Sequence, residues 1–347
     1  MQELTYRQTG VDPEEKSELL RRVLSRIRAT FTPYVVGDIG HFGGFVRMPS
    51  ARDPVLVASI DGVGTKTRVA TLTGDHATIG HDVVSHCLND LAVAGAAPLL
   101  FLDYVAASHL LPEVFEALMA GMTDACRRYG AALVGGETAQ MPGVYEPGAY
   151  DVVGTAVGVV ERDRILDGRA IRPDDVLIGL ASDGAHTNGY TLARAALLRE
   201  EGDARTFEPT LGATRGEALM RPHRCYAPAL LAALAEFSGA LTGAAHITGG
   251  GIPGNLFRIL PKGCRAHVCA SWDVPPLFGL IARAGPVGRD EMFRTFNMGV
   301  GLVVVVRPAD ADTVAEFFAA HGERPFPIGE VRRGVRGVEI FHPYDAG

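Results

Sequence analysis

Asp61, Gly62, Gly64, Thr65 and Lys66 follow an apolar run in the segment SIDGVGTKT (59–67). Glycines let backbone N–H groups approach phosphate oxygens closely, a lysine neutralises those oxygens, and an aspartate holds Mg²⁺. The plainer alternative is an Asp-Gly turn ahead of a surface lysine. No G-x-x-x-x-G-K-[ST] stretch occurs, so this is not a Walker loop. Of 33 basic residues only Lys16, Lys66 and Lys262 are lysine. Polar, loop-like surroundings and chance account for Lys16 and Lys262, whereas Lys66 marks a position suited to a compact ammonium.

Three further segments carry chemistry. In the helical pattern over 78–94, Val84, Cys87, Leu88 and Leu91 recur at core spacing, and Asp82, His86, Asn89 and Asp90 form the opposite stripe. A solvated outer face would explain that stripe. Asn89 and Asp90 are poor helix formers, however, and they lead into the apolar run LAVAGAAPLLFL, where polar residues tend to have an assigned partner such as a cation. His81, His86 and Cys87 lack a fourth ligand, so no zinc is expected on that stretch. LVGGETAQMPG (133–143) sets Glu137 behind two glycines at a strand end, placed to meet a ligand or to cap a helix. SDGAHTNGYT (182–191) brings Ser182, His186, Asn188 and Gly189 to a helix start, suited to a phosphate or to a plain N-cap. AHITGGGIPGN (245–255) matches G-x-G-x-x-G formally. With Pro253 inside and Pro261 beyond, a phosphate-binding glycine loop of Thr248, Gly249 and Gly250 fits better than a dinucleotide unit.

The elements that must position these residues alternate without strict βα order. Strand-like runs occupy 55–60, 99–105, 131–134 and 152–160, with helices over 78–94 and 112–129 between them. The polar segment ERDRILDGRAIRPDD marks a boundary, giving domains of residues 1–165 and 166–347. Beyond it come strands at 176–181, 301–306, 327–331 and 338–341 and helices near 189–200, 225–237 and 309–320. This order favours two α+β domains. A net charge of −7 argues against a nucleic-acid surface, and the apolar runs are too short to cross a bilayer. The N-terminus does not read as a signal peptide. Five cysteines without a C-x-x-C pair imply a reducing, cytoplasmic setting.

Taken together, DGVGTK, CLNDLAVAGAAPLLFLDY, LVGGETAQMPG, HTNGY, HITGGG and RTFNMGVG resemble, in order, the phosphoribosylformylglycinamidine cyclo-ligase (AIR synthetase) family, over residues 6–342. Two departures stand out: Asp183 where a serine is more usual, and Gly254 where some relatives carry an acid.

The resemblance implies a homodimer, an N-terminal mixed sheet forming a barrel at the dimer interface, and a sandwich-like α/β C-terminal domain. It implies ATP and Mg²⁺ as cofactors and formylglycinamidine ribonucleotide as substrate, with the nucleotide near the dimer interface. Asp61 and Asp90 would bind Mg²⁺ and Lys66 phosphate. Gly40, Gly43 and Gly44 of GDIGHFGGF would close over the nucleotide. Glu137 and Asn89 would orient the formyl amide, and His186 or His246 would move the proton. The substrate phosphate would take the loop of Ser182–Gly189 or that of Thr248–Gly251. A small-molecule kinase of the same superfamily and a nucleotide sensor without catalysis are the alternatives, distinguished by products and by turnover.

Overall fold

The computed structural model describes residues 5–11 and 13–341, so His342, where the resemblance ends, lies outside the described residues. After helix α1 (Pro13–Arg28), the first half carries strands β1 (Pro54–Gly62), β2 (Ala97–Ala107), β3 (Ala132–Gln140) and β4 (Tyr150–Glu161). Helices α2 (Lys66–Thr73), α3 (Ala77–Ala92) and α4 (Pro112–Tyr129) lie among them. The strand order is β1-β4-β2-β3, with only β2 and β3 parallel. Tyr150, Val152, Gly154, Ala156, Gly158 and Val160 of β4 are buried while the residues between them are half-buried. This period-2 pattern puts one face on the core and leaves the other open. Helices α3 and α4 meet closely because both carry a glycine at the crossing: a Cβ on Gly80 would stand 2.0 Å from the Leu118 carbonyl oxygen, and one on Gly121 1.8 Å from that of Ala77. Among the described residues the four strands form an open sheet with β1 and β3 at its edges. The barrel expected from the sequence is therefore not closed within one chain.

The second half holds β5 (Val176–Ala181), the two-residue strands β6 (Phe207–Glu208) and β7 (Ala213–Thr214), β8 (Leu241–His246), β9 (Cys264–Cys269), β10 (Val300–Val306), β11 (Pro325–Arg333) and β12 (Gly337–Phe341). Its helices are α5 (Tyr190–Leu197), α6 (Arg215–Leu219), α7 (Ala227–Glu236), α8 (Gly251–Ile259), α9 (Pro276–Ala284), α10 (Arg289–Thr295) and α11 (Ala311–Ala320). Six strands form a mixed sheet in the order β12-β9-β11-β5-β10-β8. All seven residues of β10 are buried. Leu302, Val304 and Val306 join one apolar core, and Val303 and Val305 join the other, so the sheet is covered on both faces. The fold class is α+β, as expected. No helix among the described residues is long and apolar enough to cross a membrane.

Candidate functional site

Helix α3 is buried on both sides. Val84, Cys87, Leu88 and Leu91 pack into the core of the first half, while Asp82, His86 and Asn89, at 0–2% exposure, are covered by chain from the second half. The polar stripe is a seam between halves, not a solvated outer face, and its partners are groups of the protein. Asp82 accepts the His223 backbone N–H at 2.7 Å. Asn89 is committed at both ends: its Oδ1 accepts from Tyr226 N–H at 2.7 Å, and its Nδ2 donates to the Arg224 carbonyl at 2.9 Å. An amide engaged in this way is not free to orient a substrate, which corrects the role expected of Asn89.

Lys66 also departs from expectation. It opens α2 and is fully buried. Its ammonium pairs with Asp82 Oδ2 at 2.6 Å and donates to the carbonyls of His186 at 3.0 Å and Arg221 at 2.8 Å. An ammonium has three donors, and all three are taken inside the protein. In this arrangement Lys66 fastens the seam, out of reach of a phosphate.

At the mouth of the seam, β1 presents Ser59 and Asp61. Asp61 Oδ2 lies 2.9 Å from His86 Nε2, and its Oδ1 accepts the Gly62 N–H at 2.7 Å. Asp90 accepts from Ser59 Oγ at 2.9 Å and pairs with His246 Nδ1 at 2.8 Å. Burial works to raise both carboxyl pKa values, but the bonds from His86 to Asp61 and from His246 and Ser59 to Asp90 outweigh it, and both end below the ordinary range. The two carboxylates are joined through the interior. His86 Nδ1 meets Thr187 Oγ1 at 2.8 Å, Thr187 Oγ1 meets His223 Nδ1 at 3.2 Å, and His223 Nε2 meets His246 Nε2 at 3.0 Å. Five contacts thus link Asp61 to Asp90. Three neutral imidazoles and one hydroxyl own only four protons between them. The network holds one added cation or leaves one contact unfilled. His186 stacks on His223 with ring centroids 4.1 Å apart. Burial foremost, then neighbouring cationic groups, pushes His186 and His223 well below the ordinary histidine range. Burial also lowers His246, against the opposing pull of Asp90.

The two glycine loops proposed for phosphate converge. Gly189, at φ +79°, caps α5, and Gly250, at φ +95°, caps α8, neither with a side-chain capping bond. A Cβ on Gly249 would stand 3.3 Å from Asn188 Oδ1, so the loops are in contact. The starts of the two helices therefore lie close together, although Gly251 N–H of α8 already donates to the Thr248 carbonyl at 3.0 Å. Gly64, at φ +55°, and Thr65 lead into α2, and Thr65 Oγ1 lies 3.2 Å from Thr191 Oγ1 in the first turn of α5. Thr248 Oγ1 donates to Asn255 Oδ1 at 3.2 Å. Ser182 is buried and donates to Asn297 Oδ1 at 3.1 Å, so it supports the loop from inside instead of reaching a ligand. Asp183, the unusual residue, accepts from Arg224 at 3.0 Å and from Arg324 at 2.7 Å.

A separate cleft of about 580 Å³ opens at edge strand β3 beneath residues 39–44. Gly40, Gly43 and Gly44 line it together with Lys16, Asp103, Phe115, Met119 and Glu137. A side chain at Gly44 is barred, since its Cβ would lie 2.6 Å from the Val134 carbonyl oxygen. Glu137 lies within β3, not on a turn or at a helix cap, and pairs with Lys16 at 2.9 Å. Asp103, beside Gly136, has its pKa pushed up to about 7, chiefly by burial and further by Glu137. The structure thus groups Gly40, Gly43, Gly44 and Glu137 at one place, and Asp61, Asp90, His186 and His246 at another. Asp103 and Asp61 share a row across the sheet, through Gly154.

Two family models match the chain in succession. AIR synthase related protein, N-terminal domain, covers residues 43–160, and AIR synthase related protein, C-terminal domain, covers residues 172–341. A phosphoribosylformylglycinamidine cyclo-ligase of Sorangium cellulosum is 48% identical over 331 residues, 94% of this chain and 95% of the relative. One of Carboxydothermus hydrogenoformans is 44% identical over 344 residues, 98% and 99% of the two chains. Among solved structures, thiamine-monophosphate kinase from Stenotrophomonas maltophilia superposes with a TM-score of 0.68 at 21% identity, covering 92% of this chain and 95% of its own. Hydrogenase maturation protein HypE in complex with ATP gives 0.65 at 18% identity, over 93% and 91%. These two likenesses concern the fold alone.

Proposed function

The chain belongs to the phosphoribosylformylglycinamidine cyclo-ligase family, and from that membership we propose how its two clefts divide an ATP-dependent ring closure. The reaction converts formylglycinamidine ribonucleotide to 5-aminoimidazole ribonucleotide, with release of ADP and phosphate, in purine biosynthesis. The observation that carries the reading is the pair of ionised carboxylates, Asp61 and Asp90, at the mouth of the seam beside two uncapped helix starts.

The glycine-lined cleft takes the nucleoside, its apolar wall of Phe115 and Met119 facing the base and Lys16 and Glu137 at its rim. Asp61 and Asp90 are hard oxygen donors, the ligand type Mg²⁺ prefers, and they would hold it. Bound there, Mg²⁺ would supply positive charge against the transferring phosphoryl group. The converging starts of α5 and α8 receive the substrate's 5′-phosphate through backbone N–H groups at Gly189 and at Gly249–Gly250. His246, fixed by Asp90 and bordering the cleft beside it, takes the proton released as the amidine-side nitrogen attacks.

Activation comes from phosphoryl transfer to the formyl oxygen, because an amide oxygen is too poor a leaving group by itself. Covalent catalysis has little to work with among the groups at the seam. Burial pushes the Cys87 thiol pKa far up and its Sγ donates to the Gly154 carbonyl, while Ser182 is committed to Asn297. The purified protein, given substrate and MgATP, should release 5-aminoimidazole ribonucleotide, ADP and phosphate in equal amounts. Substrate carrying ¹⁸O at the formyl position should deliver the label to phosphate. Label in water would sink the activation step, and a phosphorylated product would favour the kinase alternative.

We propose a homodimer built on the open face of the first sheet. Leu56 and Ile60 of β1 are 57% and 68% exposed on that face, where Leu56 pairs with Val159 and Ile60 with Thr155 of β4. An apolar sheet face of this kind calls for a partner. A second copy would close two four-stranded sheets into the barrel. The Leu56→Asp/Ile60→Asp variant should sediment as a monomer. If the wild-type chain is itself monomeric at micromolar concentration, the interface is wrong.

A further inference from the structure

Resting on the placement of the nucleoside in the glycine-lined cleft, we infer that the carboxyl group of Asp103 reads the base there and selects adenine over guanine. Asp103 lies within β2 and lines the cleft together with Leu102, Phe115, Met119 and Leu133. Gly136 of the neighbouring strand makes room for it. A Cβ at that position would stand 2.1 Å from Asp103 Oδ1 and 2.7 Å from the Asp103 carbonyl oxygen, so a side chain there would displace the carboxyl from the cleft wall.

The surroundings keep a proton on this carboxyl. Among the described residues its hydrogen bonding is confined to its own backbone N–H, and no cation pairs with it. Lys16, the one lysine or arginine lining the cleft among the described residues, is held by Glu137 at 2.9 Å. Burial and then the like charge of Glu137 push the Asp103 pKa up to about 7. On α4, the Cys126 thiol is driven well above its ordinary range by burial and by Asp103, so it stays neutral. His41, in the chain over the cleft, is the remaining titratable group on the lining. A neutral carboxyl presents one donor beside one acceptor, whereas a carboxylate presents two acceptors. Adenine complements the first, since its N1 accepts the O–H and its N6 amino group donates to the carbonyl oxygen. Guanine complements the second with two adjacent donors, N1–H and the N2 amino group. Asp103 therefore favours adenine while it holds its proton and guanine once the proton is lost.

Calorimetric binding of ADP and of GDP to the full-length protein with Mg²⁺, from about pH 6 to about pH 8.5, tests this. The ratio of the two dissociation constants cancels the titration of the phosphates that both nucleotides share. At the acid end ADP should bind at least about tenfold tighter than GDP, within what a bidentate base contact supplies. That advantage should shrink as pH rises through about 7. Asp103→Asn carries a fixed donor and acceptor, so it should keep the preference and lose its pH dependence. Asp103→Leu should lose the preference at every pH. His41→Gln should leave the wild-type profile intact. A wild-type ratio that is flat with pH, or one that Asp103→Leu does not move, overturns the assignment. Leu20→Trp separates that failure from a misplaced nucleoside, because Leu20 lines the cleft half-buried and bulk there should weaken both nucleotides. If it weakens neither, the base lies elsewhere and both readings fall. If it weakens both while the ratio ignores Asp103, the selection by Asp103 alone is lost.

Discussion

Asp90→Asn is expected to lower turnover about a hundredfold or more while the protein remains folded. Asparagine has the same shape and still accepts one hydrogen bond, so packing around α3 is kept. What disappears is the negative charge that the bonds from His246 and Ser59 hold ionised against the effect of burial. If Asp90 binds Mg²⁺, the variant loses both an oxygen ligand and the fixed orientation of His246. Electrostatic groups at developing charge are typically worth about 10²–10³ in rate. The Mg²⁺ concentration for half-maximal rate should rise along with the fall in turnover. Near-normal activity at low Mg²⁺ would remove Asp90 from the metal site. Asp61→Asn should behave similarly, because the two carboxylates occupy one mouth.

Lys66→Met is expected to cost about 3–5 kcal/mol of stability, the usual penalty for leaving a buried charge without its partner. Asp82 is fully buried, and Lys66 is its counter-ion at 2.6 Å. Two carbonyls, of His186 and Arg221, lose their donor as well. Lys66→Arg should also destabilise, since a planar fork replaces a compact group in a closed cage. The double variant Lys66→Met/Asp82→Asn should regain part of the loss, because the orphaned charge is gone while the acceptor for His223 N–H remains. Denaturant unfolding with a double-mutant cycle gives the coupling. A Lys66→Met protein of wild-type stability that fails only in ATP affinity would restore the phosphate role read from the sequence.

Much of the framework was legible because burial on one side leaves a period. The strand at 176–181 and the helix at 112–129 stand where their apolar spacing and end signals put them. Strand β8, LTGAAH, is buried at every position, so it has neither alternation nor a long apolar run to announce it. Helix α8 contains Pro253, which reads as a breaker. It falls in the first turn, where a missing N–H costs nothing because those donors have no intrahelical acceptor. At the site, Asp61 and Asp90 were visible by type and position, as was the polar stripe of α3. What covers that stripe was not: His223 and the carbonyls of Arg221 and Arg224 belong to an irregular segment with no periodicity. Lys66 shows the limit most clearly. A lysine after glycines looks the same in sequence whether it meets phosphate or a buried aspartate 16 residues on.

Because α3 is shared by both halves, the molecule has no clamshell hinge. Swinging the halves apart would take the His223 N–H from Asp82, the Tyr226 N–H from Asn89 and the carbonyls of His186 and Arg221 from Lys66 at once, each a buried polar contact costing about 1–3 kcal/mol when lost. Motion during turnover then falls to the chain over the glycine cleft, residues 33–53. That stretch has little secondary structure beyond the single bridge Val35–Val46, and it carries the exposed Phe42 and Phe45. A flap of this kind would open on the nanosecond-to-microsecond timescale of loops, not the slower one of domain rotation. With the nucleoside in the glycine cleft as proposed, exchange would then leave the buried contacts of the seam assembled.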